Sequence, residues 1–169
     1  QLIRGHAYLG MPKPMRRALH IEVVTRLLAI EDGGGHAPGL EVAWHLIRAG
    51  RPSEATPYLL RGARESMRGG APYEAELGLT TAIDRLREPE RSEASLLIGE
   101  ALLEQGRLTD SVPHLEAVRD DASHAIRSRR NVLRLYARKA TDIYTPDLGR
   151  SIAVELLREA ELASDTNTR

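Results

Sequence analysis

Apolar positions along the chain recur at intervals of three and four residues, the spacing that lines one face of an α-helix. The cleanest case is 91–105, where Ala94, Leu97, Ile98, Ala101 and Leu102 form a stripe and Glu93, Glu100 and Glu104 fall outside it. A second stripe, Ala18, Leu19, Val23, Leu27 and Ile30, runs through 15–30, a stretch free of Gly and Pro. Pro12 and Pro14 stand ahead of it, where proline suits a helix start. Gly33, Gly34 and Gly35 break it. Glycine and proline mark the other boundaries and predict helices over 40–49, 53–68, 72–87, 109–119, 123–141 and 147–164. Short connections between them leave little room for a strand. The polar stretch 165–169 is expected to be a disordered tail.

Composition agrees. Ala, Leu, Glu, Arg and Lys supply about half of the 169 residues, the usage typical of helices. Val and Ile together number 16 and Phe is absent, too few for a sheet protein of this length. A formal net charge of zero provides no global field for nucleic acid or an anionic membrane, so neither partner is expected. With no Cys there are no disulfides, Cys-zinc sites or thiol nucleophiles, which fits a cytoplasmic location. The first residues lack both Met and a signal-peptide pattern, and the chain reads as a piece of a longer protein.

Internal similarity narrows the fold. The block Gly50 to Leu59 aligns with Gly106 to Leu115, 56 positions on, with Gly, Arg, a hydroxyl, an acid, a small residue, Pro and Leu recurring in order. Between them, the block Gly70 to Leu79 keeps Gly, acid, Ala and Leu in the same register. The offsets are 20 and 36 residues, and the second is close to the period of tetratricopeptide-type helix pairs.

The chain resembles the tetratricopeptide repeat at these positions. Leu97 to Gly106 is similar to that family's first helix, with Gly99 at the close-contact position and Gly106 at the turn. Ser111, Leu115 and Val118 match the small, large and small packing positions of its second helix, as Ala75, Leu79 and Ala82 do one pair earlier. Gly62 departs from the alanine usual there, and no repeat has the closing proline. The resemblance implies an all-α fold, a right-handed stack of antiparallel helix hairpins forming an α-solenoid. Its layout would be a leading segment and connecting helix over 1–36, repeats over 37–164 and the tail over 165–169. A second resemblance lies in context. Met11 to His20, then Glu41 to Gly50, then Pro57 to Ala63 resemble, in that order, segments that follow the winged helix in bacterial STAND ATPases and large ATP-binding LuxR-type regulators. This implies a sensor or scaffold arm of a multidomain signalling protein.

Reactive chemistry is sparse in the pattern. Gly33-Gly34-Gly35 lacks both the preceding strand and the Gly-Lys-Ser/Thr ending of a phosphate-binding loop. The six His include no His-x-x-x-His pair; Glu41 and His45, one turn apart, read as an ordinary surface or interface pair. No Gly-x-Ser-x-Gly elbow occurs. The chain is therefore expected to be no enzyme and to need no cofactor or metal.

A stacked array binds along its concave wall, lined by the first helix of each pair. The repeat register puts Trp44, Arg48, Arg64, Arg68, Glu100 and Glu104 there, with Arg134 and Arg138 if Tyr136-Ala137 fills the close-contact position. Arg127, Arg130, Arg134 and Arg138 lie along one side of 123–141, opposite a buried side of Ile126, Leu133, Tyr136, Ala137 and Ala140. Such a groove would grip an acidic peptide or other anion through forked hydrogen bonds; the competing reading is a solvated face with surface ion pairs. For Trp44 packing against a neighbouring pair is favoured over ligand stacking. The expected function is a protein-interaction or effector-sensing module, with a small-molecule sensor or a self-associating homo-oligomer as the alternatives.

Overall fold

A computed structural model describes residues 8–139 and 145–166, which are helix and connection, with no strand among them. The helices are α1 (Lys13–Asp32), α2 (Gly39–Arg48), α3 (Pro52–Arg68), α4 (Pro72–Thr80), α5 (Glu90–Glu104), α6 (Leu108–Glu116), α7 (His124–Lys139) and α8 (Pro146–Thr166). A 3-10 turn at Ile83–Arg85 follows α4. The chain divides into two compact units, Gln1–Glu65 and Ser66–Arg169, with the boundary inside α3.

The repeat seen in the letters is a repeat of burial. Ala43, Leu46, Ala55, Leu59 and Gly62 are buried in the first unit, and so are their equivalents Gly99, Leu102, Ser111, Leu115 and Val118 in the second. Gly50 and Gly106, the turn glycines of the two hairpins, have φ of +83° and +74°, a region that side chains disfavour. After each, the next amide bonds five residues back, Arg51 to the Leu46 carbonyl and Arg107 to the Leu102 carbonyl, both at 2.9 Å. This is the glycine-closed helix end that satisfies carbonyls left over by the last turn. Ala71 repeats the closure onto Ser66 at 2.8 Å after Gly70.

In the first unit α2 and α3 meet through backbone. A Cβ at Gly39 would lie 2.5 Å from the Gly62 nitrogen and 2.6 Å from the Tyr58 carbonyl, so the Gly62 that breaks the alanine pattern is what admits the crossing. Glu65 accepts the Gly39 N–H at 3.0 Å, capping α2 from α3. Arg61 ties the preceding loop, pairing Glu31 at 2.6 Å and donating to the Ala37 carbonyl at 3.1 Å. In the second unit each helix packs on its sequence neighbour, and α7 also reaches back to α5. There a Cβ on Gly99 would meet Leu115 side-chain atoms at 2.6 and 2.7 Å.

Five expectations need correction. The helix over 72–87 stops at Thr80; the Thr81 hydroxyl donates to the Gly78 carbonyl at 2.8 Å, and the redirected chain buries Ala82 and Leu86. The helix over 109–119 ends at Glu116 because its last groups bond elsewhere. The Val118 carbonyl accepts from Arg130 at 3.0 Å and the Arg119 N–H donates to the Ser92 hydroxyl at 3.2 Å. In α1 the inward residues are His20 and Val24, while Leu19 and Ile30 are 40% and 50% exposed and Ala18 is exposed. In α7 Arg130, expected on the outer side, is buried together with Asn131, and Tyr136, expected on the inner side, is 58% exposed. Of the expected inward set, Ala137 is buried, Ile126 and Leu133 are partly so, and Ala140 lies outside the described residues. The expected tail over 165–169 begins within α8, which runs to Thr166; 167–169 are outside the description.

Candidate functional site

The expected groove residues fall into both units. On α2, Trp44 is 49% exposed rather than packed away, and the Arg48 guanidinium one turn on lies 5.2 Å over its ring. His45 and His20 meet that ring edge-on, at 4.8 and 5.2 Å between centroids. His20, from α1, sits between two partners. Its Nδ1 is 2.9 Å from the His45 Nδ1, and its Nε2 is 2.7 Å from the Tyr8 hydroxyl. A bond between two Nδ1 atoms holds one proton, so at least one ring must be neutral there. Burial pushes His20 below the usual histidine value, and the neighbouring His45 and Arg48 push the same way. Burial also lowers His45, with Glu41 opposing. The Glu41/His45 spacing was legible in the sequence, but the meeting with His20 was not, because the apolar stripe assigned to α1 pointed a different face inward.

Arg64 lies exposed on α3 in the first unit, and Arg68 ends that helix in the second, also exposed. On α5, Glu104 is exposed, whereas Glu100 is half-buried and pairs with Arg129 of α7. Arg138 pairs with Glu116, joining α7 to α6. Arg134 lies 3.8 Å from Glu155 of α8, and burial pushes its guanidinium below the usual arginine value, with Arg130 beside it adding to the effect. Arg130 is 5% exposed and donates to Asp120 at 2.7 Å and to the Asn131 amide oxygen at 3.0 Å. The hydrogen bond from Arg130, together with its charge, holds the Asp120 carboxyl below the usual carboxylate range. Glu100, Arg134 and Arg138 thus join helices to one another, while Trp44, Arg48, Arg64, Arg68 and Glu104 present exposed side chains.

Among the described residues no group of three or more His, Asp or Glu side chains could hold a metal ion. No described helix is long and apolar enough to cross a membrane. The arrangement offers cationic and aromatic surface on α2 and a buried arginine–amide cluster on α7. No protein-family model matches this chain, and no curated protein or solved structure matches it either.

Proposed function

We propose that this chain is a non-catalytic interaction module, a right-handed row of tetratricopeptide-like hairpins that serves a larger bacterial signalling or transcriptional regulator in the cytoplasm. The observation that carries the reading is the recurrence of one hairpin seam. Ala43, Ala55, Leu59 and Gly62 are buried in one unit, and Gly99, Ser111, Leu115 and Val118 in the other. Small residues used in this way let helices approach closely, and a row of such pairs has a wall on which a partner lies. The partner is an acidic protein segment, since Trp44 with Arg48, and the exposed Arg64 and Arg68, give cationic and aromatic contacts.

The test is retention of partner proteins on the immobilised chain, identified by mass spectrometry beside an R64E/R68E variant of equal melting temperature. A set retained by the parent and lost from the variant is the expected result. Retention unchanged by the reversal removes those arginines from the site, and hydrolysis of ATP or an ester at an enzyme-like rate ends the reading.

Self-association is the second reading, and a different observation favours it. Val132 and Tyr136 on α7 and Val154 and Leu157 on α8 are between 54% and 65% exposed, and apolar surface of this kind marks contact sites.

A further inference from the structure

We propose that Arg130, Asn131 and Arg134 form a carboxylate-binding subsite that Glu155 occupies loosely, and that an acidic segment of the partner takes the place of Glu155. This rests on the interaction-module reading and names the chemistry of one of its contacts.

The three residues lie within two turns of α7. Arg130 spends its donors inside the fold, on Asp120, the Val118 carbonyl and the Asn131 amide oxygen. That last bond uses the acceptor of Asn131 and leaves its Nδ2 group, on a fully buried residue, with no partner. The Arg134 Nε is buried and unpartnered as well. Both orphans are N–H donors, so what the cluster lacks is an acceptor; a cation or a further donor would not satisfy it. Buried polar groups are ordinarily paired, so each of these donors calls for an oxygen acceptor.

Glu155 of α8 is a carboxylate that faces both guanidiniums. It stands 3.9 Å from Arg130 and 3.8 Å from Arg134, close enough for attraction and too far for a hydrogen bond to either, and its side chain is 51% exposed. A carboxylate held this way is exchangeable. Charge selects an anion: Arg127, Arg130 and Arg134 outnumber Asp120 and Glu155 along this part of α7. The planar edge of a guanidinium also matches two carboxylate oxygens.

The test is a fluorescence-polarisation titration of labelled hexaglutamate against the full chain at pH 7.5 and low ionic strength. Replacing Glu155→Gln removes the internal competitor and should tighten binding about tenfold. Arg134→Gln should weaken it by about the same factor, with Arg134→Lys between. Equal affinity of the parent and a folded E155Q variant would overturn the subsite, and E155Q removes no buried cation, so this outcome stands even where R134Q fails to fold. Inorganic phosphate displacing the peptide equally well from the parent and from E155Q would overturn the carboxylate assignment. Binding lost in R64E/R68E while E155Q equals the parent leaves the groove standing and removes the subsite alone. Peptide bound by none of these proteins, the parent included, removes the subsite together with the acidic-partner reading.

Discussion

At the scale of single residues, glycine is not one thing in this chain. Gly62 faces the backbone of Gly39 and Leu40, which cannot give way, so Gly62→Ala should cost about 3 kcal/mol in a urea titration. Gly99 faces the Leu115 side chain, which can shift, and Gly99→Ala should cost about 1 kcal/mol. Gly106 has open space and a left-handed backbone, so its alanine variant should lose about 1 kcal/mol through strain alone. Equal losses at Gly62 and Gly99 would contradict the difference in what they touch. Arg130→Ala strands the Val118 carbonyl and the Asn131 amide oxygen and should cost about 3 kcal/mol; a loss below about 1 would mean that water reaches both. The repeat made the glycines legible. Arg130 was not, because a long polar side chain reads as surface in any hydrophobic pattern, while two of its acceptors, Val118 and Asp120, come from the connection between α6 and α7.

At the scale of elements, α2, α3 and α5 match the expected bounds closely, whereas α4 and α6 end short of theirs. The stripe Ala94, Leu97, Ile98, Ala101 and Leu102 on α5 is buried throughout, since α5 touches α4, α6 and α7 and every apolar face has a neighbour. In contrast, Leu19, Ile21 and Ile30 of α1 are between 40% and 50% exposed, and the stripe no longer identifies the inner side. What α1 does put inward is His20, joined to His45 of α2. That contact makes stability pH-dependent. Burial lowers His20, His45 and His114 in the fold, so the unfolded chain takes up protons first as pH falls through about 6.5. Stability should therefore be full near pH 7.5 and decline towards about pH 5.5, with a lower urea midpoint there. His45→Asn should flatten the decline, and equal midpoints at the two pH values in the parent would contradict neutral histidines in the fold. Asp120 works in another window: its carboxyl is lowered by Arg130, so its contribution persists until pH drops below about 4.

At the scale of the whole molecule, zero net charge does nothing to keep copies apart, and Val132, Tyr136, Val154 and Leu157 offer apolar contact. If self-association is the function, light scattering across a dilution series should give a mass that falls with concentration, and Tyr136→Lys should hold it at the monomer value. A constant monomer mass in the parent would leave the partner groove without this rival. Helical class and the hairpin seam were legible in the letters because periodicity and glycine placement are local. The placement of Trp44 at the surface, the His20–His45 contact and the arginine–glutamate ties of α7 depend on which helices meet, which no single stretch encodes. The account stands or falls on the two hairpins being one design used twice. A crystal structure of the chain tests this most directly. It should superpose 43–62 on 99–118 residue for residue, with hairpins following one another in a row. Two hairpins with unlike seams, or helices closed around an internal pocket, would contradict it.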